Sequence, residues 1–452
     1  ARTVAAPPQR PSRLPPAWPL TALLLLYPLW WALGFGVLIY LLVAAPMAWA
    51  LARRRPIRIP PGFTLWLLFL AVVVISMAAL EFDPPGTLPT SAWQRLPGTV
   101  LRLAEYASLT VLLLYVGNLS KKELPQSRLI RLLGWSFLIT VVGGFVGVLW
   151  PHLAFDSPIE MLLPDRYAEN SFVKTLVHPA VAQQHEVLGY PTPRPAAPWG
   201  YTNLWGANFA LLAIWFAVAG WARGHDDTPR AVRWRRAAAV AVLAISVVPV
   251  VVSLNRGLWL CLGVAAALIA VRMAMRGQLL AIGALTVATV SLMVLLAASP
   301  LGHLVRDRIA TGHSNDIRMY TTEKALDGIA YSPVIGFGTT RDSMGSDSSI
   351  AVGNSAGCDN CGNHTIGSNG QVWLELYAHG FLGVVLFLAF CCYPLWRYRR
   401  DNSVIGIAAS TVLVLNLLAS AYYNTLVTPL AFTFISYAIW WRENSTAAVT
   451  SR

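Results

Sequence analysis

Residues 234–273 read WRRAAAVAVLAISVVPVVVSLNRGLWLCLGVAAALIAVRM, two apolar runs joined by a very short hairpin. Each run approaches the about 20 predominantly apolar residues that a membrane-spanning helix needs, because a backbone in lipid must satisfy its own hydrogen bonds. The pattern therefore predicts two consecutive spans, with Arg256 held at the level of the membrane surface between them.

Similar apolar runs recur along the chain and predict an all-α membrane protein with about twelve transmembrane helices. They lie near 18–33, 35–52, 62–81, 98–117, 129–149, 202–222, 234–252, 257–273, 278–298, 371–396, 403–422 and 425–441. The predicted organisation is a disordered cytoplasmic tail at 1–17, helices 1–5 within 18–149, a long outer loop at 150–201, helices 6–9 within 202–298, a large outer loop at 299–370, helices 10–12 within 371–441 and a second cytoplasmic tail at 442–452. Because long ordered loops on a helical scaffold commonly carry function, the outer face is the expected place for chemistry.

The composition agrees with this class. Hydrophobic residues make up 56% of the 452 residues and charged residues only 12%, against about 25% in soluble domains. That excludes a disordered protein, a coiled coil and an ordinary cytosolic enzyme. Five cysteines are too few for a disulfide framework.

The net charge of +13 follows the predicted topology. With both termini in the cytoplasm, 23 of the 34 Lys and Arg residues fall in the inside segments, as the positive-inside rule requires. The inside then carries +18 and the outside −5. The basic excess thus faces the cytoplasmic leaflet, and it gives no reason to expect a nucleic-acid partner.

Arginines on the predicted outer face are the first candidates for binding. A charge at membrane level is costly unless it is paired or meets a ligand, so Arg256 is a functional candidate, against the alternative of a snorkelling side chain. Arg318 lies in a helical-looking stretch that starts at Asp316 and could equally be a solvated helix face. Weaker candidates are Arg306, Arg308 and Arg341 in the large loop, and Arg166 and Arg194 in the first long loop. Guanidinium groups that converge would suit a diphosphate, which accepts bidentate hydrogen bonds from them.

A general base is the second candidate element. His364 could take a proton from a sugar hydroxyl near neutral pH, or it could be an ordinary loop histidine. Competing histidines are His303, His313 and His379, and Glu375 and Asp316 are carboxylate alternatives. Cys358 and Cys361, six and three residues before His364, could bind zinc with it, but no fourth ligand is evident and a local disulfide is favoured.

Four local patterns, in order, resemble the O-antigen ligase and O-antigen polymerase superfamily of bacterial membrane glycosyltransferases with a C-type scaffold. They are Tyr201-Thr-Asn-Leu-Trp-Gly-Ala-Asn208, Asn255-Arg-Gly-Leu-Trp259, Asp316-Ile-Arg318 with Ser332-Pro-Val-Ile-Gly-Phe-Gly338, and Ser368-Asn-Gly-Gln-Val-Trp-Leu-Glu-Leu-Tyr-Ala-His-Gly-Phe-Leu-Gly383. Together with the predicted spans, the similarity covers most of the chain. Each pattern alone is loose, and the ordered set is fairly specific.

The resemblance implies transfer of a glycan from a polyprenyl (undecaprenyl) diphosphate carrier to an acceptor hydroxyl at the outer face of the bacterial cytoplasmic membrane. It implies no cofactor and no metal, and the expected partners are the lipid-linked donor, a glycan, glycolipid or other hydroxyl acceptor, and membrane lipid. Arg256 and Arg318 would hold the diphosphate. Many family members place a histidine directly before the last pattern, where this chain has Ser368-Asn369, so the identity of the base stays open between His364, another residue and none.

The alternatives differ in class. A glycan polymerase on the same carrier shares the scaffold and the motifs with a ligase. A polysaccharide or lipid transporter would be indicated by buried charges in span centres, of which the sequence offers hardly any, and by paired broken helices, which it does not show. A membrane scaffold protein would leave Arg256 and the two long loops without a role.

Overall fold

The structure, a computed structural model, is a bundle of helices. It describes residues 15–164, 171–185, 192–221, 228–278, 299–310, 313–343 and 364–450, together with scattered positions between 279 and 298. The fold is mostly helical (71%), with little sheet.

The N-terminal part begins with six helices. These are α1 (Trp18–Leu25), α2 (Tyr27–Ala32), α3 (Ile39–Ala52), α4 (Phe63–Ser76), α5 (Ala92–Asn118) and α6 (Gln126–Leu149). A 3₁₀ turn at Gly36–Leu38 precedes α3, and another at Met77–Ala79 extends α4. The next region contains α7 (Pro158–Leu162), α8 (Ser171–Val177) and the antiparallel strands β1 (Ala182–His185) and β2 (Thr192–Pro195).

The rest of the chain also contains long helices and a structured loop region. Its first helices are α9 (Thr202–Trp221), α10 (Pro229–Ile245), α11 (Val247–Val252) and α12 (Arg256–Ala274). The 299–370 region contains α13 (Pro300–Ala310), α14 (His313–Ile329) and the short antiparallel strands β3 (Arg341–Asp342) and β4 (Thr365–Ile366). The last helices are α15 (Gln371–Arg397), α16 (Val404–Ser420) and α17 (Thr428–Thr450).

Six helices among the described residues are long and apolar enough to cross a membrane: α5, α6, α9, α10 continued by α11, α12 and α15. The helices Gly36–Ala52, Phe63–Ala79 and Val404–Ser420 are apolar but shorter. The predicted span 18–33 consists of two short helices, because the chain bends at Leu26. The predicted span 278–298 lies mostly outside the described residues. The structure thus supports a multi-pass membrane protein, and the number twelve stays a prediction.

The most enclosed helices are α9 and α17, which pack against α6 and α5 respectively. Four tryptophans are fully buried in this bundle, and each indole N–H donates a hydrogen bond: Trp66 to Thr110 Oγ1 (2.7 Å), Trp205 to Thr140 O (2.9 Å), Trp215 to Ser436 Oγ (2.8 Å) and Trp440 to Asp401 Oδ2 (2.8 Å). Since an unpaired buried N–H costs free energy, these bonds let large side chains fill the core and fix the order of the helices.

A break in α15 brings the 299–370 region into the bundle. Gly380 has φ 67° and ψ −172°, which is not helical, and the segment 332–338 packs against it. Phe381 N donates to Pro333 O at 2.8 Å and so replaces a bond that the helix loses. A Cβ at Gly380 would lie 2.2 Å from Val334 O, which explains the glycine. Irregular backbone of this kind is tolerated inside a membrane protein where other protein segments pair with it.

Candidate functional site

The hairpin between α11 and α12 is the centre of the candidate site. Asn255 caps α12, since its Oδ1 accepts a hydrogen bond from Leu258 N at 2.9 Å and satisfies one of the donors at the helix start. Leu254, just before it, has a φ of 50°, a left-handed conformation that costs a residue with a Cβ about 1–2 kcal/mol. This tight turn presents the carbonyl oxygens of Ser253 and Leu254 to two other segments of the chain.

Two arginines bind these consecutive carbonyls. Arg194, in β2, donates from Nε to Ser253 O at 2.6 Å. Arg308, in the last turn of α13, donates from Nε to Leu254 O at 3.1 Å. Both side chains are buried, with exposed fractions of 6% and 5%. Both long loops are therefore anchored at the start of α12, next to Arg256.

Arg318 enters from α14. Its Nη1 donates to Tyr422 O at 3.0 Å, and its guanidinium carbon lies 5.7 Å from the ring centroid of Tyr423. A cation over an aromatic face at this distance is attracted to the ring and is held in orientation. Tyr422 and Tyr423 belong to the connection between α16 and α17, so a fourth part of the chain meets the site.

Tyr423 and Asn255 lock this connection to α12. The Tyr423 hydroxyl donates to Asn255 Oδ1 and accepts from Gly257 N at 3.2 Å. Asn255 Nδ2 in turn donates to Thr202 O at 3.3 Å. A Cβ at Gly206 would lie 2.4 Å from Asn255 Nδ2, so the glycine of the Trp-Gly-Ala-Asn pattern makes room for the capping side chain.

The arginines are close enough to affect one another electrostatically. The pKa of Arg194 is lowered to about 10, mainly by burial; Tyr423 raises it, and the charges of Arg308 and Arg318 lower it. The pKa of Arg308 is lowered by burial and then by the charge of Arg256, with a smaller contribution from Arg318. Four cations from four chain segments thus converge on one hairpin. An anion bound among them would offset their mutual repulsion.

His364 and Asn369 lie at the end of the large loop. The His364 ring is 5.8 Å from the ring of Tyr320, which follows Arg318 on α14. Asn369 Nδ2 donates to Arg318 O and to Thr322 Oγ1, both at 2.9 Å. Asn369 therefore fixes the α14 turn that carries Arg318.

Arg341 is not part of this cluster. Its side chain is buried and donates to the carbonyl oxygens of Ala79, Leu80, Phe82, Phe337, Thr339 and Thr340 at 2.9–3.3 Å. Its Nε lies 3.5 Å from Asp83 Oδ1. Burial, followed by the charge of Arg95, lowers the pKa of Arg341 to about 10. These contacts tie the 299–370 region to the end of α4, and they differ from the contacts that Arg194, Arg308 and Arg318 make.

Several other candidates cannot be described. Arg166, Cys358 and Cys361 lie outside the described residues, as do the side chains of Asp316 and His313 within α14. The backbone of Asp316 belongs to α14, as the helical-looking stretch predicts. His303 is exposed, and its Nδ1 lies 3.2 Å from Arg306 Nη2.

Glu375, the alternative base, is fully buried in α15. Its Oε1 accepts hydrogen bonds from the Tyr106 hydroxyl and from Gln371 Nε2 at 2.5 Å. Gln371 N donates to Tyr423 O at 2.8 Å. The start of α15, which carries the buried carboxyl, is therefore bonded to the connection between α16 and α17 that contacts Arg318. His379, one turn further along α15, is fully buried as well. These two residues correct the expectation that ionisable groups inside the spans are nearly absent.

One trio among the described residues has the donor set of a metal site. His178 Nδ1 lies 2.8 Å from Glu160 Oε2 and 3.6 Å from Asp156 Oδ1. Glu160 also forms a reciprocal capping box with Ser157 at the start of α7. A hydrogen bond from His178, directly after α8, to Glu160 at this helix start explains the arrangement without a metal.

Comparison with known proteins adds nothing to these geometric findings. The sequence matches no protein-family model and no curated protein. The class that the fold and the site define is a multi-pass membrane protein with a convergent arginine cluster.

Proposed function

We propose that the protein is a membrane glycosyltransferase, similar to O-antigen ligases, that moves an oligo- or polysaccharide from a polyprenyl diphosphate carrier to an acceptor hydroxyl. The observation that carries the proposal is the convergence of Arg194, Arg256, Arg308 and Arg318 at the start of α12. Four guanidinium groups with mutual repulsion match a ligand of high negative charge and many acceptor oxygens, as a diphosphate is.

The proposal includes twelve spans with both termini in the cytoplasm of a bacterium and the arginine cluster at the outer face. Six spanning helices, three shorter apolar helices and the enclosed α17 support a number of this size. The basic residues in alternate loops support the orientation. Labelling of single cysteines introduced at exposed sites, such as Tyr331 in the 299–370 region and Trp396 near the end of α15, tests it. Labelling of both positions from the same side of the membrane would overturn the topology.

The chemistry follows from the charge that develops during transfer. The bond between the anomeric carbon and the phosphate oxygen breaks, and the acceptor oxygen forms the new bond to that carbon. Negative charge grows on the departing diphosphate, where preorganised cations stabilise the transition state. The arginines thus supply the charge stabilisation that a metal ion provides in other transferases.

The acceptor's proton needs a recipient, and His364 is the candidate. A neutral imidazole accepts a proton near pH 7, and this ring lies beside Tyr320 on the helix that carries Arg318. Glu375 is hydrogen-bonded to Tyr106 and Gln371 inside the bundle, and the side chain of Asp316 lies outside the described part of the structure. Both remain secondary alternatives.

Two other functions remain candidates. A polymerase on the same carrier would use the same arginines and differ only in its acceptor. Two features would also fit a transporter: the buried Glu375 and His379, and the break of α15 at Gly380. Intramembrane ionisable groups and broken helices occur in ion-coupled transport.

Reconstitution into liposomes with a polyprenyl-diphosphate glycan and candidate acceptors tests the proposal. A ligase releases the polyprenyl diphosphate and leaves the glycan on a new acceptor, whereas a polymerase makes a longer glycan on the same lipid. Movement of intact donor across the bilayer without cleavage would indicate a transporter and overturn the proposal. The Arg256→Ala and Arg318→Ala variants should lose transfer, and full activity in either would refute the diphosphate assignment.

A further inference from the structure

Glu375 and His379 form a pair inside the spanning part of α15. They are four residues apart, so both side chains lie on the same face of the helix. Both are fully buried, and His379 Nε2 lies 3.7 Å from Glu375 Oε2. At a rise of 1.5 Å per residue, His379 is about 12 Å along α15 from its first residue, in a helix that is long and apolar enough to cross a membrane.

The hydrogen bonds of Ser76 determine which nitrogen of His379 carries hydrogen. The Ser76 hydroxyl donates to Val73 O at 2.8 Å and lies 2.7 Å from His379 Nδ1. Because a hydroxyl has a single hydrogen and that of Ser76 is directed at Val73 O, we assign Ser76 Oγ as the acceptor of His379 Nδ1–H. In a neutral imidazole Nε2 is then an acceptor, and it is the atom that faces Glu375.

The donors around Glu375 are also fully assigned. Tyr106 and Gln371 both donate to Glu375 Oε1. The second amide hydrogen of Gln371 goes to the Tyr106 oxygen at 3.0 Å, and Gln371 Oε1 accepts from Thr425 N and Leu426 N, which fixes the amide orientation. Glu375 Oε2 and His379 Nε2 have no hydrogen-bond partner among the described residues.

Two acceptors therefore face each other in a buried site that offers no donor to either. A carboxylate whose Oε2 meets a second acceptor in a buried place is destabilised. One proton between the two atoms removes the conflict, either as Glu375 O–H donating to Nε2 or as an imidazolium N–H donating to the carboxylate. We propose that Glu375 and His379 bind one proton between them, forming an intramembrane proton-binding site.

The other titratable groups that face the pair come from α5 and α15. Arg102 and Tyr106 on α5 and Cys391 on α15 interact with Glu375, and Arg102 also acts on His379. The face of α4 toward the pair contributes Ser76 and the ring of Phe69, whose centroid is 6.1 Å from the His379 ring. Arg102 contributes a positive charge near the pair.

Glu375→Gln is the matched test because it mimics the protonated acid. The amide oxygen can keep the bonds from Tyr106 and Gln371, and the amide nitrogen supplies a permanent N–H toward His379 Nε2. Glu323→Gln makes the same change at an exposed carboxyl on α14 and serves as the control. Thermal unfolding of the three full-length proteins is measured in lipid nanodiscs across a series of pH values.

The expected sign follows from proton linkage. The native state holds a proton that an exposed glutamate and histidine lack above neutral pH, so native stability falls as pH rises through the release of that proton. The unfolding midpoint of the wild type and of Glu323→Gln should fall with pH, and that of Glu375→Gln should fall less steeply. Parallel curves for all three proteins would overturn the proposal.

A second measurement decides the question in the wild-type protein alone. The protein is labelled with ¹⁵N-histidine and studied by NMR, and the His379 signals are identified by their loss in His379→Asn. These signals should show a protonated Nδ1 and an Nε2 that shares a hydrogen bond. An unprotonated Nδ1, or an Nε2 without a hydrogen bond across the pH series, would overturn the proposal even if Glu375→Gln failed to fold.

Discussion

Arg308→Ala is the substitution that best separates a built anion site from a generally basic surface. Arg308 donates from Nε to Leu254 O and is 5% exposed, whereas Arg306, two residues earlier on α13, is exposed. Both changes remove one positive charge and the same side-chain atoms from one helix. Only Arg308 lies among the converging arginines, so the two variants should differ if the cluster binds the diphosphate.

The size of the difference follows from burial. A hydrogen bond to a charged group contributes about 1.5–3 kcal/mol, and the low exposure of Arg308 leaves little solvent to screen it. Its loss should weaken binding of a polyprenyl diphosphate about 10- to 150-fold, because 1.4 kcal/mol corresponds to a factor of ten. An exposed charge contributes about 0–1 kcal/mol, so Arg306→Ala should change affinity by less than about fivefold.

The assay is calorimetric titration of a short-chain polyprenyl diphosphate into protein in nanodiscs, with inorganic pyrophosphate as competitor. Thermal unfolding of both variants controls for the lost bond to Leu254 O, which should cost about 1.5–3 kcal/mol of stability because its donor is charged and buried. Equal affinities for Arg308→Ala and Arg306→Ala, with both proteins folded, would refute the assignment of the cluster as the diphosphate site.

Three further predictions concern the base, the helix break and the excluded arginine. His364→Ala should abolish transfer while leaving polyprenyl diphosphate affinity within about twofold of the wild type. Unchanged turnover would show that another residue accepts the proton. Gly380→Ala should destabilise the protein by more than about 2 kcal/mol in denaturant titrations, because the added Cβ would lie 2.2 Å from Val334 O. The control is Gly263→Ala in α12, where a Cβ would meet nothing within 4 Å, and it should be neutral or stabilising. Arg341→Ala should lower the unfolding midpoint, because the carbonyls that it binds at the end of α4 lose their donor, but should leave polyprenyl diphosphate affinity unchanged; a selective loss of affinity would return Arg341 to the site.

The long helices could be predicted from hydropathy because their apolar length is a local property of the sequence. The prediction of 371–396 differs by one residue from α15 (Gln371–Arg397), and that of 202–222 by one residue from α9. The break at Gly380 was not predicted, since Gly-Phe-Leu-Gly inside an apolar run reads as helix. Its cause is the packing of 332–338, which is distant in sequence.

The candidate site was predicted only in part for the same reason. The sequence favours Arg256 and Arg318 by their position, and the structure brings them together with Arg308 and Arg194, which the sequence ranks lower. Arg341 cannot be told from them, because three of the carbonyls that bind it follow α4, more than 250 residues earlier. Likewise, the partners that bury the α15 pair, Ser76 and Tyr106, are about 300 and 270 residues away.

The most direct test of the proposed transfer is the stoichiometry of the reconstituted reaction. With a polyprenyl-diphosphate glycan and an accepted hydroxyl substrate in liposomes, the free polyprenyl diphosphate released is measured against the glycan found on the acceptor. A ligase gives one lipid released for each glycan transferred, and Arg318→Ala abolishes both together. Translocation of intact donor, or glycan transfer that persists at the wild-type rate in Arg318→Ala, would contradict the proposal.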